Sequence, residues 1–273
     1  MIWKMSKWKS EPGGVDQCRR IVRAAVSLVE AGLVTGTAGN VSVRDPGSRH
    51  FLITPSGLDY RLMLEQDIVR VDLCTGFAEG RRRPSSEREL HSRIYKVRED
   101  VNAVVHHHSP CATAVAVARK TIPNILDEAI DLTPIPTIEY ATFGTPELGM
   151  KAAAKFAEGC NAVLLANHGV VVVGENLEVA LARSVEVESL AQIFVWSEAL
   201  GGAVPIEESA LERSRYSLDQ YKAARAKQDL PRPRDFPESS ESVSVGDLVR
   251  FGFRSWVTFG SLARTLFMQR LRR

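Results

Sequence analysis

The sequence predicts an α/β fold, because segments with helical periodicity alternate with short apolar segments along most of the chain. Over 15–34, apolar residues recur at the spacing of an amphipathic helix, and 176–200 reads as a long helix. Short runs rich in valine and other apolar residues, such as 101–106 and 169–174, predict buried strands between the helices. This alternation is typical of an α/β domain.

The other predicted elements follow in order along the chain. A glycine-rich turn leads into the first strand, and a helix is predicted to begin near Ser85, where Ser86 and Glu89 have the spacing of a capping box. No dinucleotide-binding or phosphate-loop fingerprint occurs, which disfavours a nucleotide-binding fold. The predicted strands are 51–54, 68–73, 101–106, 135–139, 162–166 and 169–174. The predicted helices are 15–34, 85–97, 110–118, 146–157, 176–200 and 209–227.

Length and composition favour a soluble, cytoplasmic protein with a sizeable core. The chain has 273 residues, of which 44% are hydrophobic, and its formal net charge of +2 predicts no nucleic-acid partner. The N-terminus lacks the apolar run of a signal peptide, and no segment approaches the roughly 20 apolar residues that span a bilayer. The cysteines are far apart and form no CxxC pair, which indicates a reducing compartment: Cys18, Cys74, Cys111 and Cys160.

Composition divides the chain into three parts. Residues 1–14 are predicted to be an N-terminal extension, residues 15–227 the catalytic domain, and residues 228–273 a linker with a C-terminal amphipathic extension. The linker is rich in proline, serine and charge, and the final segment mixes aromatic residues with arginines. We expect that segment to dock as a helix on the domain or on a neighbouring subunit. A basic segment resting on a membrane surface is the alternative.

Three histidines form the main candidate site. His106, His107 and His108 directly follow a predicted buried strand, and residues two apart in an extended chain point the same way. His106 and His108 are therefore expected to face one side together, and His107 the other. His168, between two predicted strands and before a glycine, is the third candidate. Three neutral imidazoles leave an open position on zinc and also suit other divalent transition metals. The alternative is that these are hydrogen-bonded structural histidines.

Three turns combine hydroxyl groups with free backbone N–H groups, which are features of phosphate-binding sites. They lie at 37–40, 54–57 and 84–86. If the three converge, they form a phosphate cradle that contains no lysine. Each turn alone is also explained by ordinary turn or helix-capping chemistry, because glycine and serine are common in such positions.

Glu87 follows the two serines of the third turn and falls in the first turn of a predicted helix. A carboxylate there stabilises the helix through its macrodipole. If the side chain points at the metal instead, it can ligate the ion or move a proton. The residues alone leave both interpretations open.

Taken in order, these motifs resemble the class II aldolase/adducin family, and within it the aldolases of sugar phosphates. The resemblance covers roughly residues 15–200 and implies a single three-layer α/β domain, with a largely antiparallel central sheet flanked by helices. It also implies a zinc ion at a subunit interface, usually in a homotetramer. The matching segments are GTAGNVSVR, ITPSG, PSSE followed by LH and IY, AVVHHHSPCATAV, YATFGTPEL and ANHGVVVVG.

The resemblance also implies a role for each candidate residue. His106, His108 and His168 look like the zinc ligands, and Glu87 looks like the catalytic acid/base that also reaches the metal. The implied reaction is the reversible cleavage of a phosphorylated sugar, a ketose 1-phosphate, to dihydroxyacetone phosphate and an aldehyde. The residues that look like the phosphate site are Thr37, Gly39, Asn40, Ser56, Gly57, Ser85 and Ser86.

The sequence departs from those aldolases where a tyrosine follows an Ile-Pro motif and protonates the aldehyde side. Asp127 stands at about that place, and Tyr140 or Tyr216 are the candidates to substitute for the tyrosine. A decarboxylase or a sugar-phosphate epimerase of the same family is the alternative function, although a decarboxylase need not keep a phosphate cradle. A non-enzymatic scaffold like the adducin head domain is a further alternative, and it is expected to have degraded metal ligands.

Overall fold

An eight-stranded, largely antiparallel sheet forms the centre of the molecule. The structure is a computed structural model that describes Trp8 and residues 14–45 and 47–227. The strands are β1 Asn40–Arg44, β2 His50–Ile53, β3 Val69–Asp72, β4 Ala78–Glu79, β5 Ala103–His107, β6 Thr137–Ile138, β7 Ala162–Leu165 and β8 Gly169–Gly174. They lie in the order β4-β3-β2-β1-β5-β8-β7-β6, and in this part of the chain β6 and β7 are the one parallel pair.

Helices cover both faces of the sheet. The bounds are α1 Gly14–Glu30, α2 Arg88–Val97, α3 Pro110–Val117, α4 Pro146–Ala157, α5 Leu177–Ala199 and α6 Glu208–Lys227. Apolar side chains of α2 and α4 share one hydrophobic layer with the sheet, and those of α1, α3 and α5 occupy the layers on the other face. The predicted fold class is therefore confirmed as α/β, with a largely antiparallel sheet between helices.

Alternate residues of the central strands pack in the hydrophobic layers on opposite faces of the sheet. On β5, Val104 packs in the layer that contains α2 and α4, whereas Val105 packs in the layer that contains α1. On β8, Val171 packs in the layer that contains α2 and α4, whereas Val170 packs on the other face with α3 and α5. Because side chains alternate along a strand, His106 projects from β5 on the face of Val104, towards α2.

The predicted capping box at the start of α2 is wrong. The helix begins at Arg88, and the Oγ atom of Ser85 accepts the hydrogen bond from the Glu87 backbone N–H at 3.2 Å. The Ser86 side chain is exposed, and Glu89 pairs with Arg93 one helical turn later at 2.8 Å. The ion pair competes for the glutamate, and the serine one position earlier satisfies the free N–H group.

The predicted extensions lie largely outside the described residues, which include only Trp8 and Gly14 from 1–14 and nothing from 228–273. The described residues up to Ala224 form one compact unit. All four cysteines are free. Within the described segments, none of the helices combines the length and apolarity needed to cross a membrane.

Candidate active site

Three histidines from two neighbouring strands meet at one end of the sheet. His106 lies on β5, His108 directly follows the last residue of β5, and His168 lies in the turn between β7 and β8. Their candidate ligand atoms all lie within 4.8 Å of one another, and the Nε2 atoms of His106 and His108 are 2.9 Å apart. His107 is buried and lies outside the cluster, as strand alternation predicts.

The turn that carries His168 is shaped by its two neighbours. Asn167 adopts a left-handed backbone conformation (φ 55°), which asparagine tolerates better than most residues. Gly169 packs directly on the other two histidines. A Cβ atom there would lie 2.5 Å from the carbonyl oxygen of His107 and 2.6 Å from Cδ2 of His108. The close approach of the two strands, and therefore of the three imidazoles, requires glycine at this position.

We expect Gly169→Ala to lower divalent-metal affinity by at least about 10-fold, because the new methyl group must push His108 away from His168. Titration of the metal-free protein with zinc measures the effect. Gly80→Ala is the matched control, since its Cβ would meet only Val69 at 3.4 Å. Equal zinc affinity in the two variants would contradict the packing argument.

The protonation of the imidazoles suits a cation site. His106 Nδ1 lies 2.9 Å from the carbonyl oxygen of Val170, to which it donates, so Nε2 faces the cluster. Burial lowers the pKa of His108 to about 3 and that of His168 to about 4, and the neighbouring imidazoles add to the effect. Burial also opposes the charged form of His106, but the adjacent Glu87 outweighs burial and raises its pKa. Neutral imidazole is the form that binds a metal.

Glu87 points into the histidine cluster from the start of α2. Its carboxylate oxygens lie 3.1 Å from His106 Nε2 and 3.5 Å from His168 Nε2, and the residue is only 6% exposed. Burial raises the pKa of Glu87, but His106 and His168 outweigh burial, so the pKa falls well below its usual value. The carboxylate is thus available both to a cation and to a proton on a substrate.

The residues present fit a divalent transition metal. Two buried polar atoms at the cluster, Oε1 of Glu87 and Nδ1 of His168, have no hydrogen-bond partner in the part of the chain that the structure describes. Buried polar groups are normally satisfied, so unpartnered ones at a cluster of donors are expected where an ion or substrate binds. Three imidazole nitrogens and a carboxylate are the donor set of zinc and related ions.

The three hydroxyl-rich turns converge beside this cluster. Ser56 N–H donates to the Arg83 carbonyl oxygen at 3.0 Å, and Ser85 N–H donates to that of Thr54 at 3.1 Å, which joins the second and third turns. The first turn joins them where Val41 N–H donates to Thr54 Oγ1 at 3.2 Å. The predicted phosphate cradle required the three turns to converge, and in the structure they do.

The first turn also touches the histidine strand. Gly39 has a φ of +77°, and a Cβ atom there would lie 2.6 Å from the carbonyl oxygen of His106. Thr54 and Ser85 are buried, whereas the side chains of the other hydroxyl residues in the turns are accessible to a ligand: Thr37, Ser56 and Ser86. The Asn40 amide is committed elsewhere, because Nδ2 donates to Oε2 of Glu87 at 2.9 Å. Asn40 therefore connects the cradle to the carboxylate.

Two supporting residues were missed by the sequence analysis. The carboxylate of Glu188, on α5, accepts hydrogen bonds from the N–H groups of Cys111 and Ala112, each at 2.9 Å. These are the first residues of α3, so Glu188 holds the turn that follows His108. His91, on α2, contacts Asn40. A glutamate in a long helix gives no local signal of such a contact, and His91 appeared only as a letter of the matching LH string.

The expected substitutes for the missing tyrosine lie on the surface. Tyr140 and Tyr216 are 54% and 68% exposed. Asp127 is also exposed and accepts a hydrogen bond from Ser214 Oγ on α6 at 2.8 Å. Asp127 does not belong to the cluster formed by His106 and its partners.

Sequence and structure comparisons place this geometry among known proteins. The model of the family described as "Class II Aldolase and Adducin N-terminal domain" matches residues 19–195. The chain is 40% identical over 190 residues to L-fuculose phosphate aldolase of Escherichia coli (strain K12), covering 69% of this chain and 86% of that one. It is also 40% identical over 215 residues to a 5-methylthioribulose-1-phosphate/5-deoxyribulose-1-phosphate aldolase of Rhodospirillum rubrum, covering 78% and 94%. A solved L-fuculose 1-phosphate aldolase structure matches with a TM-score of 0.71 at 36% identity, covering 75% of this chain and 96% of that one.

Proposed function

The chain belongs to the class II aldolase and adducin family, as its motifs predicted, and it is an aldolase; we propose that it cleaves a ketose 1-phosphate with the aid of a divalent metal ion. One observation carries the proposal. Three histidines, a buried carboxylate and three hydroxyl-rich turns meet at the same end of the sheet. A phosphorylated substrate needs both a phosphate site and a reactive centre within its own length.

In this proposal His106, His108 and His168 hold the ion, which we take to be zinc, and Glu87 reaches it. Three imidazole ligands leave a coordination position for substrate. When bound, the ion supplies Lewis-acid chemistry that stabilises negative charge on substrate oxygens as the carbon–carbon bond breaks. Glu188 and Val170 hold the ligands: the first fixes the turn after His108, and the second accepts from His106 Nδ1.

Glu87 moves the proton at the carbon that becomes part of dihydroxyacetone phosphate. In cleavage, the C4 hydroxyl gives up its proton to solvent and its oxygen becomes the aldehyde carbonyl as the C3–C4 bond breaks. The electron pair of that bond stays on C3, which then takes a proton that Glu87 has drawn from solvent. In condensation, the same carboxylate removes that proton. The phosphate end is held by hydroxyl and backbone N–H groups of the three turns, contributed by Thr37, Gly39, Asn40, Ser56, Gly57, Ser85 and Ser86.

The proposal extends to assembly and location. We propose a homotetramer whose subunits share the active site, because large apolar side chains such as Phe143 and Trp196 are 65% and 53% exposed in the single chain. A neighbouring subunit would also supply a hydroxyl for the aldehyde side, because the two candidate tyrosines of the described chain, Tyr140 and Tyr216, lie on its surface. The four free cysteines suit a cytoplasmic location.

Aldol condensation tests the proposed function. Zinc-loaded protein, incubated with dihydroxyacetone phosphate and a panel of aldehydes, is expected to form ketose 1-phosphates that mass spectrometry detects. The names of the relatives supply the panel, because cleavage between C3 and C4 of their substrates gives lactaldehyde, acetaldehyde or methylthioacetaldehyde. Unphosphorylated dihydroxyacetone is the matched control and is expected to react far more slowly.

Two outcomes would overturn this proposal. Condensation that is equally fast with dihydroxyacetone would contradict the proposed phosphate cradle. No condensation with any aldehyde, together with carbon dioxide release from a panel of hydroxy acids, would establish the decarboxylase alternative instead.

A further inference from the structure

A network of hydrogen-bonded, buried polar side chains runs from Glu87 into the layer between the sheet and α2. Asn40 Nδ2 donates to Glu87, and the other end of the same amide, Oδ1, contacts Nε2 of His91. His91 Nδ1 lies 2.6 Å from Ser42 Oγ, which in turn lies 2.8 Å from the hydroxyl oxygen of Tyr95. This network therefore links the carboxylate of the proposed site to the hydrophobic interior.

The local structure brings these residues together. Asn40 and Ser42 are two apart on β1 and share one face of the strand, while His91 and Tyr95 are four apart on α2 and share one face of the helix. His91 and Ser42 are fully buried, and Tyr95 and Asn40 are 2% and 3% exposed. A buried polar atom without a partner is costly, so each donor in the network must meet an acceptor.

Only one arrangement of hydrogens satisfies every link. A carboxylate accepts hydrogen bonds and cannot donate, so the nitrogen of Asn40 faces Glu87 and its oxygen faces His91. His91 Nε2 must then carry a hydrogen. Burial lowers the pKa of His91 to about 3, so the ring is neutral and its Nδ1 accepts from Ser42. Ser42 Oγ accepts in turn from Tyr95.

We propose that His91 is a positioning residue, which fixes the amide of Asn40 so that its nitrogen and not its oxygen faces Glu87. This inference rests on the proposed function. With the amide reversed, Asn40 Oδ1 would face the carboxylate, and two acceptors would repel each other. The carboxylate would leave its position beside His106 and His168, so the proton transfer by Glu87 would slow. The hydroxyl groups that hold the phosphate would be unaffected.

The proton transfer can be observed without an aldehyde. Glu87 takes a proton from C3 of dihydroxyacetone phosphate, and the electron pair of the C–H bond stays on the substrate as an enediolate. In heavy water, a deuteron replaces the proton on the carboxylate and then returns to C3. The net change is one deuterium in place of one hydrogen, which proton NMR measures as a rate.

The experiment compares zinc-loaded wild type with His91→Leu and His91→Gln. We expect His91→Leu to slow the exchange about 10- to 100-fold, with zinc content and KM for dihydroxyacetone phosphate unchanged within about twofold. Glutamine places an N–H donor near the position of Nε2, so His91→Gln is expected to recover most of the rate. Ser92→Ala is the matched control, because it removes a neighbouring buried hydroxyl whose hydrogen bond among the described residues goes to the Leu73 carbonyl oxygen.

Two further measurements separate positioning from a general effect on folding. In an Asn40→Ala background, His91→Leu is expected to change the exchange rate by less than about twofold, because the group it orients is gone. In wild type labelled with ¹⁵N-histidine, the His91 ring is expected to carry its hydrogen on Nε2.

Any one of three results would overturn the inference. The first is an exchange rate in His91→Leu within twofold of wild type, and the second is an undiminished effect of His91→Leu on that rate in the Asn40→Ala background. The third is a hydrogen on Nδ1 of the His91 ring. Absence of exchange in wild type would overturn the proposed function and the positioning role of His91 with it. The ¹⁵N spectrum needs no substrate, so it distinguishes a wrong arrangement of hydrogens at His91 from a wrong proposed function.

Discussion

Replacing His106 by alanine is expected to abolish stoichiometric metal binding and, with it, aldol cleavage. Loss of a residue that merely orients a metal ligand lowers affinity about 10- to 100-fold, so loss of the ligand itself is expected to cost more. His106 is the most central of the three, since its Nε2 lies 2.9 Å from that of His108 and 3.1 Å from Glu87. His168→Ala is expected to behave in the same way.

Metal analysis after gel filtration measures the effect, with thermal unfolding to show that the variants fold. His107→Leu is the matched control, because it changes the residue between two ligands but not the cluster. Both ring nitrogens of His107 are buried and have no hydrogen-bond partner in the described residues, so an apolar replacement of similar size is expected to keep both metal and fold. Undiminished metal in both His106→Ala and His168→Ala would contradict the site.

Strand periodicity was enough to predict which histidines of the triplet lie together. Side chains alternate along any strand, so the pairing of His106 with His108, and the exclusion of His107, needs no knowledge of the fold. The position of His168 depends on more. It requires β8 to lie beside β5 in the register that pairs His107 with Val170. No local pattern specifies that register, so the strand ends made His168 a candidate and the family resemblance was needed to predict it as the third ligand.

Contacts between distant side chains were not predictable from local patterns. The alternatives for Glu87 depended on where the start of α2 meets the sheet, and the structure directs the side chain to the histidines. Glu188 contacts residues 77 and 76 positions away, at the start of α3. Its sequence context is that of an ordinary helical glutamate. The capping prediction failed for a related reason, because Ser85 and Ser86 are equally good caps by composition.

The relation between Asn40 and Glu87 revises how the cradle is understood. As a sequence motif, Asn40 belongs to a turn whose free N–H groups suit a phosphate. In the structure its side chain instead reaches the carboxylate and His91. The proposed phosphate-binding turn and the proposed acid/base group are therefore parts of one hydrogen-bonded unit, so one short strand, β1, would serve both ends of the proposed substrate.

Replacing Glu87 by glutamine is expected to lower kcat about 10²- to 10⁴-fold, the range that general acid–base catalysis contributes. Glutamine keeps the size of the side chain and still accepts from Asn40, but it cannot take up a proton at neutral pH. Because three imidazoles remain, the variant is expected to retain at least half of the wild-type zinc content. Steady-state cleavage rates and metal analysis on the same preparation measure both quantities.

Glu89→Gln is the matched control for this prediction. Glu89 lies on the same helix, is partly exposed and, in the part of the chain that the structure describes, pairs with Arg93, so its replacement is expected to leave kcat within about twofold of wild type. If Glu87→Gln loses metal as completely as His106→Ala, the carboxylate is chiefly a ligand. If it keeps both metal and kcat, the proton moves through another group.

The retained metal gives the prediction its discriminating power. Removal of a metal ligand and removal of a proton carrier at the same centre both abolish turnover. A measurement of activity alone therefore cannot distinguish the two roles. Glu87 lies within 3.5 Å of two imidazole nitrogens, close enough for either role. Because Asn40 holds one carboxylate oxygen, the other remains free to meet a substrate proton. A Glu87→Gln protein that keeps its metal while kcat falls about 10²- to 10⁴-fold is therefore the result expected if Glu87 is the proton carrier.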